Sequence, residues 1–306
     1  MAMVSAWQKS LEEALPGAQL RWNEPMDEHT SMRVGGPCAA MLLPKNGAEI
    51  ASALRCCKEQ GIPCFVMGNG TNLIVRDGGY NGLIVKIGED MAFCRFRGAR
   101  ATVGAGLRLI TLARDVIQKG MSGTEFAGGI PGTVGGAVAM NAGAYGGDMA
   151  QVVRSVTYLD PETLQSAKRQ IQEGDMGYRT SIFSRNGWIV TEAELQLGFD
   201  TDGQARINYD EFSRRRREKQ PLTYPSAGSF FKRPQGNYAG SLIEQAGLKG
   251  RTVGGAQVSE LHAGFLINTG GATAGDVLAL MGEVQEAVLR SSGVKLEPEV
   301  KIIGED

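Results

Sequence analysis

Histidine is almost missing from this chain. Only His29 and His262 occur, far apart in sequence. A histidine-built metal site is excluded, and a Ser–His–Asp triad is disfavoured. Cysteine is scarce as well. Cys38, Cys56, Cys57, Cys64 and Cys94 form no CxxC pair and are odd in number. Free thiols in a reducing cytoplasm fit that pattern better than a disulfide or zinc framework. No GxxxxGK[ST] run exists, so a P-loop is out. No GxSxG elbow exists either, which argues against a hydrolase nucleophile. No stretch approaches the ~20 apolar residues of a membrane span. The opening MAMVSAWQKSLEEALPG lacks a secretion-signal pattern and reads as a helix. A formal net charge of −1 leaves no basic excess for a broad nucleic-acid surface.

Glycine, by contrast, is abundant. The chain has 43 glycines in 306 residues, about twice the usual share of roughly 7%. The run GTEFAGGIPGTVGGAVAMNAGAYGG, from Gly123 to Gly147, holds nine of them. Each glycine in regular structure costs roughly 0.5–1 kcal/mol relative to alanine. Nine would cost roughly 5–9 kcal/mol, comparable to the whole net stability of a domain at about 5–15. Such a run persists where the backbone needs positive φ or where something approaches closely. One reading is tight turns with close packing. The other is a loop whose N–H groups cradle an anion, as a nest or a helix N-terminus does. A second loop, MGNGTN from Met67 to Asn72, favours the anion reading. Neither loop contains Lys or Arg. Neutral N–H dipoles, with Asn69, Asn72, Asn141 and Thr133 as side-chain partners, suit a permanently held pyrophosphate such as that of a flavin dinucleotide. The dinucleotide fingerprint itself fails: Leu109 stands where VGAGLRL needs a third glycine, and Leu73 does so in GNGTNL.

Hydrophobic residues at 42% and charged residues at 21% describe an ordinary globular composition. Residues 46–61 place Ile50, Ala53, Leu54 and Cys57 at helical spacing, with Gly61 as the stop. Short strands follow at 63–67, 73–75, 82–88 and 99–106, then an amphipathic helix over 107–120. Residues 154–160 and 187–197 read as strands joined by a charged linker. A boundary falls near Gly198–Gln204. Residues 209–221 form a basic helix ended by Pro221. Residues 275–293 form the clearest helix, with Val277, Leu280, Met281, Val284 and Val288 on one face and a capping box at Thr273/Asp276. The terminal 294–303 alternates strictly, as one strand would. TVGGA recurs at Thr133 and Thr252 with different flanks, a coincidence rather than a repeat. The chain is α+β, without the regular alternation of a doubly wound domain.

Several polar residues admit two readings. Ser229 in PSAGSFFKRP reads first as a turn residue. Arg179 in MGYRTSIF is either solvated or a fork for an anionic group. Glu297 and Glu299 are equivalent by alternation. Arg214–Arg217 span a full helical turn, mostly solvated, with one member able to meet a diphosphate.

HTSMRVGG (29–36), GNGTNLIV (68–75), GGIPGTVGGAVAMNAGAYGG (128–147), YRTSIF (178–183), PSAGSFFKRPQGNYAGSLIEQAGLKG (225–250), HAGFLIN (262–268) and LEPEVKIIGE (296–305) occur in that order. Together they closely resemble the bacterial UDP-N-acetylenolpyruvoylglucosamine reductases of peptidoglycan precursor synthesis, over nearly the whole chain. The resemblance implies an N-terminal segment (1–33), an FAD-binding domain of the p-cresol methylhydroxylase type (34–198), and a smaller α/β substrate-binding domain (205–306) whose last strand returns toward the flavin. It implies Arg179, Ser229 and Glu299 as catalytic residues, which resolves the glutamate pair. FAD contacts are expected from Arg33, Gly68, Asn69, Gly70, Thr71, Asn72, Leu73, Gly129, Ile130, Pro131, Thr133, Gly135, Asn141, Ala142 and Gly143. Arg216 and Lys232 are candidates for the substrate's phosphates. The interval from Arg179 to Ser229 is similar to that of the shorter members, which lack a tyrosine-bearing extra segment.

The implied reaction has NADPH reduce FAD. Hydride then passes to C3 of the enolpyruvyl group of UDP-N-acetylglucosamine enolpyruvate. Arg179 holds the substrate carboxylate, Ser229 delivers a proton to C2, and Glu299 acts protonated, its pKa raised by burial. No metal, nucleic acid, membrane or obligate protein partner is expected. The alternatives are another flavin oxidoreductase of this fold, such as an oxygen-dependent alcohol or sugar oxidase, and a non-catalytic nucleotide-binding module.

Overall fold

A computed structural model describes residues 6–306. The start of the N-terminal helix expected over 1–17 lies outside the described residues; its remainder is α1 (Ala6–Ala14). The chain falls into two compact units, neither of them contiguous. The first takes residues up to Arg21, Ala40–Asn69 and Gly82–Arg215. The second takes Trp22–Ala39, Gly70–Asn81 and Arg216–Asp306.

In the first unit, α2 (Gly47–Gln60) starts where the Asn46 side chain accepts from the N–H groups of Ala48 and Glu49. It stops at Gly61, whose φ of 64° suits a residue without Cβ. Its buried face is Ile50, Ala53, Cys56 and Cys57. The strand Cys64–Met67 follows and pairs in parallel with Tyr80–Lys86. They form one side of a four-stranded sheet in the order Gln19–Pro25, Pro37–Leu43, Tyr80–Lys86, Cys64–Met67. α3 (Leu109–Gln118) buries Leu109, Leu112, Ala113, Val116 and Ile117.

A five-stranded antiparallel sheet is the larger element. Its order is Ser166–Gln170, Val153–Leu159, Ile189–Gln196, Arg100–Gly104, Cys94–Arg97. The charged linker expected between 160 and 187 is therefore not a linker. It holds the polar edge strand Ser166–Gln170 and a two-residue hairpin, Met176–Gly177 against Thr180–Ser181. Exposure on both faces removed the apolar alternation that marks a strand. Two further helices, α4 (Val134–Ala139) and α5 (Ile182–Arg185), lie around this sheet. α6 (Gln204–Lys219) begins five residues before the basic helix read from sequence. Within the first unit Tyr145 stacks on Phe212, with centroids 4.6 Å apart.

The second unit is organised by one apolar cluster, in which Val277, Leu280, Val284 and Val288 of α8 (Ala274–Ser292) meet Ile74, Phe230, Ile243, Leu266, Leu296 and Val300. α7 (Ala239–Gln245) adds Leu242 and Ile243. The capping box of Thr273 and Asp276 is present, and Gly293 closes α8 in the left-handed region. Asp77 adds a third cap, accepting from the N–H groups of Ala274 and Gly275 at 2.8 and 2.7 Å. The sheet order is Ser226–Ser229, Phe265–Asn268, Ala256–Val258, Thr252–Val253.

The terminal alternation keeps its faces, since Leu296 and Val300 are buried while Lys295, Glu297 and Lys301 are exposed. It is not one strand. Pro298 makes a single bridge to Phe231, and only Lys301–Ile303 pairs regularly, in parallel with Leu73–Val75. Proline has no N–H to give a ladder, which explains the break.

Candidate active site

The two glycine loops meet inside the first unit. A Cβ on Gly68 would run into Thr133 Oγ1 and lie 3.2 and 3.3 Å from its Cγ2 and Cβ. Gly129 and Gly132 have φ of 85° and 112°, and a Cβ on Gly135 would lie 2.9 Å from that of Ala105. Both causes inferred for the glycines, positive φ and close approach, therefore operate.

The N-terminus of α4 is not the cradle. Val134 and Gly135 donate their N–H groups to the carbonyls of Leu107 and Ala105 at 2.8 and 2.9 Å. Gly136 donates to the Thr133 hydroxyl at 3.4 Å. The helix start is committed within the protein. The composition of the loops flanking it fits a flavin dinucleotide: glycines that open the backbone to close approach, and no cationic side chain.

Arg179 sits at the tip of the 176–181 hairpin with φ of 53°. That second loop position ordinarily takes glycine or asparagine. Its Nη1 donates to the Gly143 carbonyl at 3.2 Å, and its guanidinium lies 5.3 Å from the Tyr178 ring centroid. The hairpin base is anchored by Asp175. Asp175 accepts from Arg169 Nε and Nη2 at 2.9 and 2.8 Å and from the Gln172 N–H at 2.9 Å. The Arg169 guanidinium, followed by that backbone donor, holds the Asp175 carboxyl below its ordinary pKa. Nothing in the sequence singled out this pair.

Ser229 and Glu299 belong to the second unit. Ser229 ends the Ser226–Ser229 strand, pairs with Phe265, and is exposed. The Glu299 N–H donates to the Phe230 carbonyl at 2.9 Å, and the Glu299 carbonyl accepts from Asn72 Nδ2 at 3.1 Å. These two bonds set Glu299 beside Asn72 and beside Phe230, the chain neighbour of Ser229. Glu299 is half-buried rather than enclosed. Glu297 is exposed and forms an ion pair with Lys232. The alternation that made the two glutamates look alike hides this difference.

Other expected residues are placed as follows. Arg33 is exposed with φ of 55°, and its carbonyl accepts from Asn268 Nδ2 at 3.3 Å. Arg216 is 7% exposed, while Arg214 and Arg215 both pair with Glu211 on the open side of α6. Asn141 is buried, and its amide bonds within the protein. Both histidines bond within the protein. His29 Nε2 lies 2.8 Å from Glu24, and His262 Nδ1 accepts from the Gly264 N–H at 3.1 Å. Among the described residues no helix is long and apolar enough to cross a membrane.

Comparison with known proteins agrees with this architecture. A family model for an FAD binding domain matches residues 38–163, and one for the C-terminal domain of UDP-N-acetylenolpyruvoylglucosamine reductase matches residues 220–303. The reductase of that name from Syntrophomonas wolfei is 45% identical over 95% of this chain and 97% of its own length. That of Alkaliphilus oremlandii is 43% identical over 97% and 98%. The crystal structure of the Thermus caldophilus enzyme, MurB, superposes with a TM-score of 0.79 at 33% identity, covering 93% of this chain and 98% of that one. The chain belongs to the UDP-N-acetylenolpyruvoylglucosamine reductase family.

Proposed function

We propose that this protein reduces UDP-N-acetylglucosamine enolpyruvate to UDP-N-acetylmuramate with electrons from NADPH, in the cytoplasm, as a step of peptidoglycan precursor synthesis. Identity of 43–45% over 95–97% of this chain with reductases of that name is the observation that carries the reading. The groups that would hold FAD are the loop Gly68–Leu73, the segment Gly129–Thr133 with Gly135, and Ala142 and Gly143, with Arg33 as a cationic contact. FAD, when bound, supplies the two-electron chemistry that links NADPH oxidation to delivery of a hydride at C3 of the vinyl group.

This chain's residues handle charge and the proton. Hydride at C3 leaves an electron pair on C2, spread into the adjoining carboxylate. A guanidinium forks onto a carboxylate, so Arg179 holds the substrate and offsets that charge as it grows. A donor placed this way is typically worth about 10²–10³ in rate. The Ser229 hydroxyl gives C2 its proton, and its exposed position lets it regain one from water. Glu299 is offered as the second acid at the same carbon. One hydride and one proton together saturate the double bond. Arg216 and Lys232 are offered to the diphosphate.

The test is anaerobic stopped-flow on both half-reactions. The parent's flavin bands bleach with NADPH and return with the enolpyruvyl substrate. Ser229→Ala keeps the first step and slows the second by about 10²–10⁴. Equal losses in both steps would sink the assignment of Ser229. Steady oxygen consumption without the enolpyruvyl sugar would point instead to an oxidase.

A further inference from the structure

Asn141 stands among the residues expected to touch FAD, yet its amide is directed elsewhere. The side chain is 4% exposed. Its Oδ1 accepts from the Ala150 N–H at 2.9 Å. Its Nδ2 donates to the Gly177 carbonyl at 3.0 Å and to Asp148 Oδ2 at 3.3 Å. A primary amide has two N–H donors, and both are used. The orientation is determined by the partners: a backbone N–H requires the oxygen, while a carbonyl and a carboxylate require the nitrogen.

Gly177 is the last strand residue before the Tyr178–Arg179 tip of the hairpin. Two more bonds join the same two segments. Ser181 Oγ donates to the Ala139 carbonyl at 2.7 Å, and Arg179 Nη1 donates to the Gly143 carbonyl at 3.2 Å. Gly143 is itself held by Asp148: the two pair across a short ladder, and a Cβ on Gly143 would lie 2.6 Å from that of Asp148. Both strands of the hairpin are therefore pinned to residues 139–143. Arg179 and Asn141 have φ of 53° and 43°. Such conformations persist when the surroundings over-determine them, and they concentrate where geometry matters for function. Asparagine tolerates the left-handed region better than most residues.

We propose that Asn141 is a positioning residue for Arg179: it clamps the Gly177 carbonyl and so sets where the guanidinium meets the substrate carboxylate, rather than binding FAD. The assignment rests on the reading of Arg179 given above.

Asn141→Gly removes the amide and suits the backbone conformation. Asn141→Asp keeps an acceptor for Ala150 but loses both donors. Three quantities are measured for each: the FAD dissociation constant, the substrate dissociation constant on oxidised holoenzyme by calorimetry, and the two half-reaction rates. FAD affinity and reduction by NADPH stay within about threefold of the parent. Substrate binding weakens, and flavin reoxidation by substrate falls by about 10², the scale of a catalytic group misplaced by about 1 Å. In an Arg179→Ala background the further effect of Asn141→Gly shrinks to less than about threefold. A tenfold loss of FAD affinity in both variants, or an undiminished effect in the Arg179→Ala background, overturns the inference. If Arg179→Ala is impaired and both Asn141 variants are silent, the inference fails alone. If Arg179→Ala is itself unimpaired, the role of Arg179 fails first.

Discussion

Replacing Gly68 with alanine puts one methyl group where the two glycine loops touch. Gly68 does not have a positive φ, so the added Cβ strains no torsion; its cost is steric. That Cβ collides with Thr133 Oγ1 and crowds Cγ2 at 3.2 Å. Thr133 is 3% exposed and its hydroxyl caps α4, so it cannot rotate away without releasing the Gly136 N–H. Overpacking costs about 1–3 kcal/mol, and losing the cap about 1 more, for a total of about 2–4. Since the loops flank the expected pyrophosphate site, FAD affinity falls at least tenfold, about 1.4 kcal/mol. Urea unfolding of the apoprotein reads the first quantity and FAD fluorescence titration the second. Thr133→Ala removes both crowding atoms beyond Cβ. The double variant is therefore less damaged than the sum of the singles, by about 1–2 kcal/mol, in the range expected for residues in contact. Strict additivity, or a Gly68→Ala protein with parental stability and FAD affinity, would refute the steric argument.

Four other outcomes are expected. Asp77→Ala strips two charge-assisted bonds from the start of α8 and lowers stability by about 1–2 kcal/mol; an unchanged urea midpoint would show that the capping box suffices. Burial pushes the His262 imidazole below its ordinary pKa. Its contribution is complete above the unfolded value of about 6.5 and is lost as pH falls through the lower folded value. The melting temperature of the parent should therefore drop more steeply than that of His262→Gln between pH 7 and 5, and parallel curves would contradict this. Glu297→Gln breaks an exposed ion pair worth at most about 1 kcal/mol and leaves turnover within about threefold. Glu299→Gln slows flavin reoxidation by about 10²; the reverse order in stopped-flow would reassign the acid.

Elements whose signal is local were legible. α8 combined a 3.6-residue apolar face, a capping box and a closing glycine, and it formed within a residue of the expected bounds. α2 was equally plain, because asparagine and glycine bracket it. The edge strand Ser166–Gln170 was not, since a strand exposed on both faces shows no alternation. In the site, glycine content announced close approach but not what approaches. Thr133, Ala105 and Asp148 are the close neighbours of Gly68, Gly135 and Gly143. The clamp of Asn141 on Gly177 joins residues 36 positions apart, beyond any local pattern.

The repeated pentapeptide shows why such information is missing from a local reading. TVGGA at Thr133 starts a helix, and TVGGA at Thr252 makes a hairpin between Thr252–Val253 and Ala256–Val258. Intrinsic preference is identical in the two copies, so partners decide. At the first, Val134 and Gly135 give their N–H groups to Leu107 and Ala105, and the Thr133 hydroxyl caps the turn that follows. At the second, Gly254 adopts φ of 52°, and the Gly255 N–H is taken by the Asp276 carboxylate at 3.2 Å. That carboxylate also accepts from the Thr273 N–H to complete the cap of α8. The glycines make both conformations accessible at little cost, and groups 20 or more residues away select between them. The same permissiveness lets residues 123–147 shape themselves around what lies beside them, so the run's meaning resides in its neighbours.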